Sequence, residues 1–260
     1  MKRNILLAFL VAVASVAVGL AGAPAAWATV ECRYSIKPGS GLEPIPIPPP
    51  PPGSQPNQVV YVSGVTRAVP YITAYEAQLP RWSVVGVRSA PGTDYNLGLR
   101  DCDWGRRAFS TLAEGLVDFI AVDGNQPMPG RMSATVSNAT DRVGTFALEY
   151  STNGPILEPG TTQPLLIRGT PALVRDVYVP EGGTAIVSLR LVSGDADLAV
   201  VASTSDTWLA SRAQAIESSS RPGLNEDRVA ITVPVGSPGQ TFGVVVVNNV
   251  AFTEAVLVSN

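Results

Sequence analysis

Two stretches of the chain align without a gap, Val84-Val85-Gly86-Val87-Arg88 and Ile186-Val187-Ser188-Leu189-Arg190. Each runs on to a glycine-led acidic turn. In the first copy this is Gly92-Thr93-Asp94-Tyr95-Asn96-Leu97, and in the second, one residue shorter, Gly194-Asp195-Ala196-Asp197-Leu198. An apolar run then follows in both, Leu97-Gly98-Leu99 or Leu198-Ala199-Val200. Further matches keep the same order. Asp118-Phe119-Ile120-Ala121-Val122 parallels Asp227-Arg228-Val229-Ala230-Ile231, and Pro129-Gly130 ahead of residues 132–136 parallels Pro238-Gly239 ahead of residues 242–247. Thr145 to Asn153 closes the first copy as Thr253 to Asn260 closes the second. Ordered self-similarity of this kind marks a duplicated folding unit.

The unit is built from strands. From Gln58 onward, short runs rich in Val, Ile, Tyr and Thr are interrupted by Gly, Pro, Asn and Asp, the pattern of an antiparallel sandwich or barrel. Strands are expected in the first copy over residues 59–62, 71–77, 83–88, 95–100, 119–122, 132–136 and 145–150, and in the second over 173–179 and 185–192 among others. Along Val187-Ser188-Leu189-Arg190-Leu191 apolar and polar residues alternate, placing Val187, Leu189 and Leu191 on a core face. Val244 to Val247 does not alternate, which fits a strand covered on both sides, centrally or by the neighbouring module. The best helical window, Ala210 to Glu217, is short.

The expected fold class is therefore all-β, with two tandem antiparallel β-sandwich domains of jelly-roll-like type after a signal peptide and a Pro-rich spacer. The expected boundaries are residues 1–28 for the signal peptide, 29–57 for the N-terminal tail and spacer, 58–153 for the first module, 154–164 for a linker and 165–260 for the second module. Lys2 and Arg3 precede an apolar run from Ile5 to Leu20, and Ala26-Trp27-Ala28 fits small-x-small cleavage. Export to an extracellular or cell-surface location follows, with no stable membrane span once the leader is removed. Pro44, Pro46 and Pro48 to Pro52 lack amide donors and hold φ fixed, so this stretch reads as a stiff polyproline spacer.

Both cysteines, Cys32 and Cys102, lie in the exported part, where a disulfide is favoured. Joined to each other they close a loop of about 70 residues, worth roughly 4 kcal/mol on the chain-entropy model. A link between chains through Cys32 and two free thiols are the alternatives.

The succession of a strand, Gly-Asp-x-Asp-Leu, an apolar strand, a variable middle and Pro-Gly before a Val-rich strand resembles the bacterial pre-peptidase C-terminal domain. That β-sandwich is appended to secreted proteases and other exported enzymes. Gly194 to Leu198 with Pro238-Gly239 carries the resemblance in the second copy, and Gly92 to Leu97 with Pro129-Gly130 in the first. The first copy departs from the pattern with Asn96 where Asp197 stands. Neither copy has the family's usual Tyr after Pro-Gly, Phe242 and Met132 being nearest. The resemblance implies a non-catalytic accessory module, in a family whose domains sometimes bind calcium.

The chain has 18 cations against 21 acids and no histidine. Removing residues 1–28 takes away Lys2 and Arg3 and no acid, which leaves no basic face for nucleic acid. The missing histidine excludes Ser-His-Asp and Cys-His nucleophile systems and histidine-ligated zinc. Carboxylate pairs suffice for glycoside hydrolysis, but Asp101, Asp103, Glu114, Asp118, Asp195, Asp197, Glu226 and Asp227 sit mostly in turns, where acids hydrogen-bond their own backbone. The expectation is no enzymatic activity.

Calcium is the one cofactor the acids suggest. Asp195 and Asp197 with Glu226 or Asp227 supply hard oxygens in the second copy, and Asp94 and Asn96 hold the corresponding places in the first. The turn-former reading competes for each. Trp82, Trp104 and Trp208 are candidates for stacking on a ligand, against the simpler reading of core or interface aromatics. Together these readings point to a secreted binding or adhesion module acting on an extracellular polymer, cell surface or partner exoprotein. A self-associating surface or filament subunit is the alternative, and a carboxylate hydrolase is a distant third.

Overall fold

A computed structural model describes residues 58–63, 74–75, 82–101, 106–124, 132–140, 142, 145–151, 155–203, 209–223 and 225–260. The expected leader and proline spacer, Cys32, Cys102, Trp104 and Trp208 lie outside the described residues. The first half contributes β1 (Gln58–Ser63), β2 (Ala74–Tyr75), β3 (Trp82–Ser89), β4 (Tyr95–Asp101), β5 (Arg106–Ser110), β6 (Val117–Asp123), β7 (Met132–Asn138) and β8 (Thr145–Ser151). The second contributes β9 (Thr162–Arg168), β10 (Ala172–Val179), β11 (Thr184–Ser193), β12 (Ala196–Val201), β13 (Leu209–Ser211), β14 (Glu217–Ser219), β15 (Asp227–Thr232), β16 (Gln240–Asn248) and β17 (Phe252–Ser259).

These strands form four antiparallel sheets. Sheet A runs β1-β8-β3-β6-β13 and sheet B runs β2-β7-β4-β5; sheet A′ runs β9-β17-β11-β15 and sheet B′ runs β10-β16-β12-β14. Apart from β13, A and A′ have the same order, as do B and B′. Register agrees to the residue: Gly86 faces Phe119 across β3 and β6, as Ser188 faces Arg228 across β11 and β15. Both cores lie where alternation puts them. Val85, Val87, Leu97, Leu99, Ile120 and Val122 pack between sheets A and B, and Val187, Leu189, Leu198, Val244, Val246 and Leu257 pack between A′ and B′.

A third apolar layer joins the two sandwiches. Trp82, Val84, Phe119 and Ala121 on the outer face of sheet A pack against Ala172, Val174, Ala199, Val201, Val245 and Val247 on the outer face of B′. The layers thus stack in the order B, A, B′, A′. The unbroken run from Val244 to Val247 is explained by this layer, since Val244 and Val246 fill the second core while Val245 and Val247 fill the seam. Two exchanges of chain reinforce the seam. β13, from the second half, adds to the edge of β6 with Leu209, Ala210 and Ser211 opposite Val122, Ala121 and Ile120. Arg88 on β3 donates to the carbonyls of Asn248 (3.4 Å), Gly169 (3.1 Å) and Val250.

Two expectations are corrected. The helical window over residues 210–217 is β13, a single 3₁₀ turn (Arg212–Gln214) and β14. So short a window cannot sustain a helix without packing, and here pairing with β6 and β12 takes its residues instead. The stretch 154–164 is not a free linker through its length. Leu157 is buried in the second core with its amide bonded to the Asp176 carbonyl at 2.9 Å, and Thr162 to Pro164 already belong to β9. Pro164 is tolerated because β9 is an edge strand.

Candidate functional site

The acidic turns hold the sheets together through their backbones. Gly194 has φ of 90°, and a Cβ there would lie 2.4 Å from the Phe252 carbonyl oxygen, so only glycine fits. After each turn the acid's carbonyl accepts an amide from beyond the Val-rich strand, Asp94 from Ala139 (2.7 Å) and Asp195 from Asn249 (3.0 Å). Asn96 is half-buried on β4 opposite Ser137. These contacts favour the turn-former reading.

Asp197 lies at the seam, 8% exposed. Its Oδ2 accepts from Arg212 Nη2 and from Asn249 Nδ2, both at 3.1 Å, and Arg212 Nη1 also donates to the Val117 carbonyl of the first half at 3.2 Å. The guanidinium therefore ties turn, seam and neighbouring sandwich together. Glu226 is elsewhere, paired with Arg190 at 3.1 Å on the outer face of A′. Its carboxyl is held below the usual range, chiefly by a hydrogen bond from Ser188 and then by Arg190. Among the described residues no three acids converge as a metal site.

A pair absent from the sequence-based site occurs in both copies. Ser110 donates to Asp118 Oδ1, which also accepts the Leu112 amide at 3.1 Å. Ser219 donates to Asp227 Oδ1 at 2.7 Å, and the same hydroxyl accepts the Arg228 amide at 3.2 Å. Both acids are buried, at 2% and 0% exposure. Burial pushes Asp118 up to about 6, with Asp94 adding to the rise against the two hydrogen bonds and Arg212. Burial raises Asp227 in the same direction, helped by Asp197. The spacing of eight residues from Ser to Asp in both copies was the signal available in the sequence.

A small cavity of about 150 Å³ opens beside this cluster, lined by Asp197, Ala199, Arg212, Ser218, Ser219 and Val247. It can hydrogen-bond a group of side-chain size. Ser219 donates to the Asp227 carboxylate, and the chain has no histidine to join the pair.

Trp82 is corrected as a ligand-stacking residue. It is 1% exposed within the seam, its indole Nε1 donating to the Thr241 carbonyl at 3.3 Å and its amide to Asp176 Oδ1 at 3.1 Å. A side chain so enclosed cannot meet a ligand. Among the described residues, several exposed apolar side chains share the outer face of sheet A′. There Leu166 and Val192 are each 55% exposed and Phe252 44%, beside half-buried Ile186, Val256 and Val258.

No family model matches the chain, and no curated protein matches it. Among solved structures it is similar to the CUB1-EGF-CUB2 domain of human MASP-1/3 at 6% identity, over 79% of this chain and 100% of that one, with a TM-score of 0.23. It is similar also to YhaK from Escherichia coli at 12% identity, over 76% and 82% of the two chains, with a TM-score of 0.21. A third likeness, to Ylba from E. coli, has 10% identity, coverage of 84% and 86% and a TM-score of 0.21. Likenesses this low carry no argument about this chain. Among the described residues no helix is long and apolar enough to cross a membrane.

Proposed function

We propose that the chain is an exported, non-catalytic binding module that acts outside the cell on a polymer, a cell surface or a partner exoprotein, as its resemblance to pre-peptidase C-terminal domains implies. The observation that carries this reading is the outer face of A′. Its equivalent in the first copy, the outer face of A, is buried in the seam, whereas on A′ Leu166, Val192 and Phe252 stand open. Exposed apolar groups interspersed with Arg168, Arg190 and Glu254 have the make-up of a recognition surface. The serine and carboxylate groups at the seam are engaged with one another, which supports a structural use of the residues a hydrolase would need.

The test is retention of the mature chain on insoluble polysaccharide, on collagen and on cell wall, each compared with the Leu166→Glu/Phe252→Glu variant. Retention on one matrix, weakened at least tenfold in the variant, is expected. A wild-type chain that passes all three unretained sinks the reading for polymer and surface ligands.

A further inference from the structure

We infer that the outer edge of β15 captures an extended segment of a partner protein, adding it to sheet A′ as a further strand. This rests on the binding-module reading and gives it a place and a ligand chemistry. The precedent lies within the chain. β6 is the last strand of its half in sheet A, and β13 has been added to its edge with Ala210 opposite Ala121. β15 is the counterpart of β6, and Ala230 the counterpart of Ala121: Val84 faces Ala121 across β3 and β6, as Ile186 faces Ala230 across β11 and β15. Among the described residues, β15 pairs with β11 alone.

Backbone direction follows from one hydrogen bond. The Arg228 amide points away from β11, to Ser219 Oγ. Successive residues of a strand alternate the side to which their amide and carbonyl point, so Ala230 and Thr232 present theirs to the open edge while Asp227, Val229 and Ile231 bond to β11. Further along, the Val233 amide bonds back to the Gly183 carbonyl at 3.0 Å, in agreement with that alternation.

Other edges of the second half are blunted. β9 carries Pro164, β14 has three residues, and β10 is crossed by the Leu157 amide on the Asp176 carbonyl. β15 has six residues in regular register, with no proline, lysine or bulge among them. β13 also gives the form of the occupant. Leu209 enters the first core while Ala210 enters the seam layer. A captured strand therefore places a large apolar residue opposite Ile231, over the second core, and its neighbour opposite Ala230 on the open outer face. Strand addition supplies main-chain hydrogen bonds for affinity, and the alternating side chains supply specificity.

The probe is a fluorescent peptide with the sequence of residues 207–214, titrated onto the full mature chain and followed by anisotropy. Wild type is expected to bind it. Ala230→Pro removes the outward amide at a position where an edge strand accepts proline, and should weaken binding at least tenfold with the melting temperature nearly unchanged. A peptide N-methylated at the residue matching Ala210 should fail on wild type, an arm that does not depend on how the proline variant folds. Equal binding to wild type and Ala230→Pro, or none to wild type, overturns the inference. A dimer in sedimentation velocity that Ala230→Pro abolishes overturns it too, by making the occupant a second copy. Retention on a matrix that falls with Leu166→Glu/Phe252→Glu and survives Ala230→Pro, in a chain that ignores the peptide, removes the edge site and leaves the binding-module reading standing.

Discussion

Trp82 fills the space that a side chain at Gly243 would need. A Cβ built on Gly243 lies 2.8 Å from Trp82 Cδ2 and 2.8 Å from Val201 Cγ2, so the glycine on β16 is the socket and the indole from β3 is the plug. A second close approach lies nearby, where a Cβ on Gly86 would lie 3.0 Å from Ala172 Cβ. The matching positions on the outer face of sheet A′ differ. At the counterparts of Trp82, Gly86 and Phe119, sheet A′ has Thr184, Ser188 and Arg228. A further B′-type face would lose its plug, meet a side chain at Ser188 and bury the Arg228 charge.

The plug and socket can be weighed with a double-mutant cycle. Trp82→Ala is expected to cost about 3–5 kcal/mol as a large buried aromatic, and Gly243→Ala about 1–3 kcal/mol as overpacking. Together they should cost at least about 1 kcal/mol less than the sum, because the new methyl enters the vacated space. Urea unfolding of the four proteins measures it, and strict additivity would contradict the described contact.

Asp118 makes stability depend on pH. Its pKa, about 6 in the folded chain against 3.8 ordinarily, means that the native state binds the proton more tightly than the unfolded one. Its contribution is therefore fully present below about pH 3.8 and is lost as pH rises through 6, by up to roughly 3 kcal/mol. Asp118→Asn keeps an acceptor for Ser110 and Leu112 without the charge. The variant should gain stability over wild type at pH 8 and lose that advantage by pH 4, in denaturant melts at both values. A difference that does not vary with pH would show that the carboxyl has the same pKa folded and unfolded.

Most of the sandwich architecture was legible because alternation and turn chemistry are local. Val187 and Leu189 face the core as their spacing requires, and Gly194 takes the positive φ its turn needs. Even the seam left a trace in the unbroken run Val244 to Val247. What could not be read depends on which surfaces meet. Leu209-Ala210-Ser211 is too short to show a period, and its partner β6 lies far away in sequence. Trp82 read more simply as a core or interface aromatic than as a ligand platform, but the surface it meets, opened by Gly243, had no mark in the sequence. Arg212 gave no signal at all, since its partners Asp197 and Val117 converge only after the two halves dock.

Arg212 is consequently expected to be a keystone of the seam. Its side chain and that of Asp197 are 19% and 11% exposed, and removing one partner of a largely buried pair strands the other. Arg212→Ala should cost about 3 kcal/mol, while Arg212→Met/Asp197→Asn recovers a good part of that by leaving no uncompensated charge. In hydrogen exchange, the amides of Leu209–Ser211 and of β6 should lose protection in Arg212→Ala before those of β11 and β17 do. Uniform loss across all four strands would mean that the guanidinium supports the fold generally rather than the seam.

Calcium should leave the melting temperature unchanged. A divalent ion at the second turn would have to draw Asp197 away from Arg212 and Asn249, both bonded to it at 3.1 Å. Glu226 points to the opposite face with Arg190, and Asp227 is enclosed with Ser219 on one oxygen. Calcium normally takes six to eight oxygens at one point, and its binding raises stability in proportion to the logarithm of its concentration over Kd. Melting in millimolar calcium and in excess chelator is therefore expected to coincide. If calcium stabilises the chain and Asp195→Ala abolishes the effect, the turn is a metal site and the Asp197–Arg212 pair must open to form it.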